Sequence, residues 1–148
     1  MKRFLTGLLI LTAAACSTNG TTDVGPDASA AIAAALAGGP IEVTLRHGEY
    51  KRVAGEQLGV GFKSVLADSR CPIDAVCVWM GDAVAEVELT AAGSQTDKVE
   101  LHTSLEPKSQ LWKGVKVTLL ELQPAPRASE PTRPAAYSVR LQLERASR

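Results

Sequence analysis

The sequence has few aromatic residues and no net charge. Only 4% of its 148 residues are aromatic, and sixteen basic side chains balance sixteen acidic ones. Contact with a nucleic-acid backbone requires a concentration of basic side chains, because each bound phosphate must be neutralised. No basic stripe with interleaved aromatic residues is present, so no nucleic-acid partner is predicted.

Sequence motifs for catalysis are also missing. No serine lies in a Gly-x-Ser-x-Gly elbow, and no glycine-rich loop leads into a helix. His47 and His102 are far apart and have no further ligand at metal-binding spacing, so both are interpreted as surface residues. The residues Asp68, Asp74 and Asp82 offer an alternative, a calcium site or a metal-dependent hydrolase, but they do not fit the calcium-loop template. Neither an enzyme nor a cofactor nor a metal site is predicted.

The longest apolar stretch lies at the N-terminus and is too short to span a bilayer. Lys2 and Arg3 precede an apolar run over residues 4–11, and three alanines lead to Cys16. A transmembrane helix needs about 20 apolar residues, whereas this arrangement is typical of a cleavable export signal. Residues 1–15 are therefore predicted to be a signal peptide. Its removal leaves fourteen basic and sixteen acidic side chains.

The segment that ends in Cys16 resembles the lipobox of bacterial lipoproteins, although Ala13 stands where leucine is commoner. In such proteins the cysteine is acylated and becomes the new N-terminus, and Ser17 after it implies outer-membrane sorting in a cell with two membranes. Cys16 is thus predicted to anchor the chain to a membrane of the cell envelope. A plain secretory signal is the alternative. Residues 16–40, rich in small and polar side chains, are predicted to be the lipidated N-terminus and a flexible tether.

Residues 41–148 are predicted to form one all-β domain. Apolar residues alternate with polar ones in six segments, near 41–45, 58–68, 76–90, 99–103, 115–119 and 137–143, separated by turn-forming residues. Short connections favour antiparallel neighbours. We therefore expect a single antiparallel β-sandwich or small barrel of six to seven strands. Residues 123–134 contain four prolines, with Arg127 and Arg133, and are predicted to be an extended surface loop.

Once Cys16 is assigned to lipid, Cys71 and Cys77 remain as a pair. In an oxidising compartment such a pair is expected to form a disulfide, and closing so small a ring contributes about 2.4 kcal/mol. Alternation from Cys77 to Leu89 places small and apolar residues on one face of the following strand, unless a bulge at Gly81 shifts the register. Trp79 is accordingly predicted to pack in the core beside the disulfide.

The central segment also resembles a family of uncharacterised bacterial lipoproteins and exported proteins. The shared pattern is Ser-Arg-Cys-Pro followed by Cys-x-Trp-x-Gly. Five residues, of which the proline is the first, separate the two cysteines. The pattern is carried here by Ser69, Arg70, Cys71, Pro72, Cys77, Trp79 and Gly81. Met80 stands where a small residue is expected. The resemblance implies a β-rich domain and no particular activity.

Three functions remain open from the sequence. The favoured one is a non-enzymatic envelope lipoprotein whose β-domain binds or supports a protein partner. The second is an inhibitor of an envelope or secreted hydrolase, such as a protease or lysozyme, which would present a stapled loop to its target. The residues predicted to make that contact are Arg70, Pro72, Ile73 and Asp74. The third is the metal-dependent hydrolase.

Overall fold

The computed structural model describes residues 28–146. The predicted signal peptide over 1–15, the predicted anchor at Cys16 and residues 17–27 lie outside this range. The described residues form one short α-helix and eight strands, with a turn of 3-10 helix at Pro134–Ala136. In chain order the elements are α1 (Ala28–Ala35), β1 (Ile41–Arg46), β2 (Tyr50–Val53), β3 (Leu58–Asp68), β4 (Ala83–Ala91), β5 (Thr96–His102), β6 (Ser109–Trp112), β7 (Val115–Gln123) and β8 (Ser138–Arg145).

The strands form two antiparallel sheets of four, in the orders β1-β8-β7-β6 and β2-β3-β4-β5. This arrangement confirms the all-β fold and is that of a sandwich. The predicted count of six to seven strands was too low, because β2 and β6 were not recognised. Each has four residues, and three of the four in β2 are exposed. Alternation between buried and exposed positions is therefore too brief in these strands to be seen.

The core lies between the two sheets and is built by alternation along the longer strands. In β4 every second residue from Ala83 to Ala91 is buried, and the residues between them are partly exposed. The face predicted from the sequence is therefore correct from residue 83 onward. The same pattern in β7 and β8 supplies the opposing side of the core, with Val115, Val117, Leu141 and Leu143 fully buried.

Helix α1 corrects the prediction of a flexible tether for residues 28–36, whereas residues 16–27 lie outside the described range. Ile32 and Leu36 are 1% and 2% exposed, and both belong to the hydrophobic core. An eight-residue helix is marginal in isolation, but Ile32 within α1 and Leu36 directly after it both pack into the core, and this packing stabilises the helix. The folded domain therefore includes residue 28, not only residues from 41. Within the described residues, no helix is long and apolar enough to cross a membrane.

Three loops meet at one end of the sandwich, and they carry the candidate site. The β3–β4 connection (residues 69–82) leaves the sheet where Asp68 pairs with Ala83. The β7–β8 connection (124–137) leaves where Gln123 pairs with Ser138, and residues 103–108 connect β5 to β6 nearby. In contrast, β1 starts with Ile41 opposite Leu143, at the other end of its sheet.

Candidate functional site: a stapled loop with an apolar rim

Residues 69–82, here called the stapled loop, are closed by a disulfide. The Cys71 and Cys77 sulfurs are bonded at 2.08 Å, which confirms the predicted pairing. The loop's neck is also paired, because the Ser69 amide donates to the Asp82 carbonyl at 2.7 Å and the Cys71 amide to the Met80 carbonyl at 2.8 Å. Covalent and hydrogen-bonded closure thus hold the base of the loop.

The prediction that Trp79 packs in the core is wrong. Trp79 is 78% exposed, Val78 is 98% exposed, and β4 starts only at Ala83. The prediction extended the alternation of β4 backward through Gly81, whose φ of +69° breaks the extended backbone. The side chains before this glycine therefore leave the sheet, and the parity argument does not apply to them.

Arg70 ties the stapled loop to the β7–β8 connection. Its guanidinium donates to both oxygens of Asp68 at 2.9 and 2.7 Å, to the Leu122 carbonyl at 2.6 Å and to the Pro124 carbonyl at 2.9 Å. The Tyr137 hydroxyl adds a bond to Asp68 at 2.9 Å. Burial acts to raise the pKa of Asp68, but the bonds from Arg70 and Tyr137 outweigh it and lower that pKa. Arg70 is thus used to hold the loops together within the molecule, and its predicted contact with a partner stays a prediction.

Asp74 fastens the tip of the loop. Its carboxylate accepts from the Ala128 amide at 2.7 Å and from the Ser129 hydroxyl at 3.0 Å, and the Ile73 amide donates to the Pro126 carbonyl at 3.0 Å. The Asp74 carboxylate is therefore used to hold the proline-rich segment. Of the other predicted contact residues, Pro72 is half-buried and Ile73 is 60% exposed, so the Ile73 side chain is accessible to a partner.

Asp82 anchors the other end of the stapled loop to the β5–β6 connection, and sequence reasoning missed this. Its Oδ2 lies 2.6 Å from Nδ1 of His102, which is half-buried rather than a surface residue as predicted. Its Oδ1 accepts from the Thr103 hydroxyl and from two backbone amides, those of Ser104 and Leu105. Partial burial acts to raise the pKa of Asp82, but these bonds prevail and lower it to about 2.

Asp82→Asn is expected to remove a pH-dependent part of the stability. The pKa of Asp82 is about 2 when folded against an ordinary 3.8, so its stabilisation is complete above about pH 5 and is lost as pH falls through 3.8 towards 2. Because water reaches part of the carboxyl group, we expect a contribution of about 1 to 2 kcal/mol. The free energies of unfolding of wild type and Asp82→Asn, measured with urea between pH 5 and pH 2, should become closer by that amount as the pH falls. A difference in the free energy of unfolding that stays the same from pH 5 to pH 2 would contradict this prediction.

The exposed side chains of the stapled loop form an apolar surface, here called the apolar rim. It consists of Val76, Val78, Trp79 and Met80, joined by Leu105 from the β5–β6 connection, with exposures from 60% to 103%. A cleft of about 510 Å³ lies between Trp79 and Met80 on one side and Ser104 and Leu105 on the other. A second, of about 250 Å³, lies between the disulfide and Trp79. Exposed apolar side chains grouped around clefts in this way mark interaction sites.

The acidic residues near the loop do not assemble into a metal site. Asp68, Asp74 and Asp82 bond to three different sets of partners, and residues 28–146 contain no group of three or more His, Cys, Asp or Glu placed to hold a metal ion. Glu86 and Glu88 share a face of β4 but lie beside lysines, at 2.9 Å from Lys98 and 4.0 Å from Lys63. These carboxylates act as local ties between neighbouring strands and loops.

Comparison of the chain with models of protein families, with curated proteins and with solved structures found no match. The geometry of the stapled loop and its surroundings is therefore the basis for inferring function.

Proposed function

We propose that this protein is a lipid-anchored lipoprotein of the cell envelope, without enzymatic activity, that binds a protein partner through the apolar rim. The observation that carries the proposal is the exposure of Val76, Val78, Trp79 and Met80 on a loop that is otherwise firmly held. Placing these side chains in water is unfavourable, and burying each of them in an interface gains about 1.5 to 3 kcal/mol. Tryptophan in particular is enriched among residues that dominate binding energy.

Rigidity of the loop supports binding rather than disorder at this surface. The loop is held by the Cys71–Cys77 disulfide and by contacts of Arg70, Asp74 and Asp82 with neighbouring segments. A segment that is already ordered loses little conformational entropy on association. The apolar rim thus presents a preformed surface to its partner.

A binding role is favoured over catalysis by what the polar side chains near the clefts do. Asp82 and His102 bond to each other, and Asp82 also holds the backbone of the β5–β6 connection. Arg70 binds Asp68 and two carbonyls. Catalytic groups need free acceptors and donors that face substrate, whereas these groups are used to fix loop positions.

The anchor and the loop fit one orientation in the envelope. The chain enters β1 at the end of the sandwich opposite the stapled loop, and on this basis we propose that the apolar rim faces away from the membrane to which Cys16 is attached. Mass spectrometry of the protein isolated from its native membrane should show an N-terminal Cys16 carrying acyl chains. A mature chain with an unmodified cysteine would contradict the anchor.

Inhibition of a hydrolase remains the second candidate, favoured by the closed ring around Ile73. Residues 72–76 lie within the disulfide ring, and the side chain of Ile73 is exposed. Protease inhibitors commonly present such a constrained segment. Assays of proteases and lysozymes with the purified protein test this role, and Ile73→Ala should relieve any inhibition. Absence of inhibition across the panel would reject it.

The double substitution Val78→Ser and Trp79→Ser is expected to abolish partner binding while changing the free energy of unfolding by less than about 0.5 kcal/mol, because both side chains are already exposed. Chemical crosslinking in intact cells followed by affinity purification and mass spectrometry measures the captured partner. The matched control is Leu111→Ser, since Leu111 is 72% exposed on β6, in the other sheet. Equal capture by wild type and the double variant would reject the apolar rim as the binding surface.

A further inference from the structure

The proline-rich segment between β7 and β8 forms a polar cleft next to the stapled loop. The cleft has a volume of about 410 Å³, and its lining includes Arg127, Glu130, Thr132 and Arg133 together with Pro124 and Pro131. The sequence predicted only an extended connection here. The structure adds a concave surface whose lining includes two arginines.

The two arginines of this cleft are not used to hold the fold. Within the described residues, neither Arg127 nor Arg133 makes a side-chain hydrogen bond or an ion pair, and both are exposed. Arg70 and Arg140 differ from them, because Arg70 binds Asp68 and two carbonyls, while Arg140 pairs with two glutamates. Arg127 and Arg133 therefore have donors free for a ligand that enters the cleft.

We propose that this cleft binds a carboxylate of the protein partner, that of an aspartate or glutamate side chain. The inference rests on the proposed function, and it specifies the partner as a segment that pairs apolar residues with an acidic one. Guanidinium groups bind carboxylates with paired, charge-assisted hydrogen bonds. Glu130 lies in the same lining, so two positive charges and one negative charge leave a net charge of +1. That balance matches a singly charged carboxylate better than a doubly charged phosphate.

The cleft is positioned for this role before any partner arrives. Asp74 accepts hydrogen bonds from Ala128 and Ser129, which form the turn between Arg127 and Glu130. Because Asp74 belongs to the stapled loop, the same contact joins the cleft to the loop that carries the apolar rim. Prolines restrict the rest of the segment, which lowers the entropy lost on binding. A partner segment that lies on the rim can therefore present its acidic group to the arginines of a fixed neighbour.

A displayed library of random twelve-residue peptides, selected on the full mature chain in detergent, tests the inference. We expect wild type to enrich peptides that combine apolar residues with aspartate or glutamate. Arg127→Gln with Arg133→Gln should lose the acidic preference and keep the apolar one, and should bind a selected acidic peptide about tenfold more weakly. The charge-matched control, Arg52→Gln with Arg145→Gln, changes exposed arginines outside the cleft and should behave as wild type.

The outcomes separate the two proposals. Apolar enrichment without acidic residues in wild type, or an acidic preference that survives loss of Arg127 and Arg133, would overturn the carboxylate site and leave the apolar rim standing. Failure of both variants and wild type to enrich any peptide would count against the proposed function itself. Titration with inorganic phosphate tests whether the cleft prefers a phosphate to a carboxylate. Phosphate binding that displaces the acidic peptide and is at least as tight would overturn the assignment to a carboxylate.

Discussion

Gly81→Ala is expected to lower the free energy of unfolding by about 3 kcal/mol or more. A Cβ at residue 81 would lie 1.8 Å from the Ser69 carbonyl oxygen and 2.9 Å from the Arg70 Cα. Both are backbone atoms, so no side chain can rotate to make room, and the neck of the stapled loop must open. The clash and the backbone strain together make Gly81→Ala a strongly destabilising substitution.

Gly48→Ala provides the matched control. Gly48 has a φ of +74°, close to the +69° of Gly81, but a Cβ there would meet nothing within 4 Å. Gly48→Ala should lower the free energy of unfolding by about 1 kcal/mol, because alanine disfavours a positive φ and no clash is added. Urea denaturation of both variants measures the difference. Equal losses would show that close packing of the neck against residue 81 does not contribute to stability.

Arg70→Leu is expected to lower the free energy of unfolding by about 3 kcal/mol, because it removes the guanidinium group that pairs with the Asp68 carboxylate and donates to two carbonyls. The side chains of Arg70 and Asp68 are only 14% and 11% exposed, so water replaces the lost bonds poorly. The loss should shrink at low pH. The pKa of Asp68 is lower in the folded than in the unfolded protein. The ionised Asp68 carboxylate therefore stabilises the fold above its unfolded pKa, and this stabilisation disappears as pH falls through its folded pKa.

Arg140→Leu is the control for this second prediction. Arg140 also contacts two carboxylates, those of Glu42 and Glu121, but its side chain is 45% exposed. Exposed ion pairs contribute about 0 to 1 kcal/mol, so its replacement should be mild. Denaturant unfolding at pH 7 and at pH 3 compares the two variants. Similar losses for Arg70 and Arg140 at pH 7 would mean that Arg70 does not fasten the loops as described.

Alternation in the sequence was enough to predict the all-β fold and most strands, because a sheet with one buried face imposes a period of two. It did not show that the alanine-rich segment of α1 packs against the core. Only the sandwich supplies the surface that buries Ile32 and Leu36, and a local pattern does not contain that surface. The pairing of Cys71 with Cys77 followed from counting cysteines, and it needed no knowledge of the fold.

The candidate site was predicted only in part. The disulfide ring over residues 71–77 was predicted correctly. Trp79 was wrongly placed in the core, because the alternation of β4 was continued across Gly81, which lies outside the strand. Asp82 and His102 are brought together by pairing of Val84 with His102 in β4 and β5, which is tertiary information. The uses of Arg70 and Asp74 within the molecule likewise depend on the β7–β8 connection, more than fifty residues away.

The central claim is that the apolar rim is covered by a partner in the envelope, and site-specific photocrosslinking in intact cells tests it most directly. A photoreactive amino acid at position 78 should give a discrete adduct of the anchored protein with one partner, and the same group at position 111, on the exposed surface of β6, should give none. Adducts should also disappear when Trp79→Ser is added. Absence of an adduct from position 78, or the same adduct from both positions, would contradict the claim.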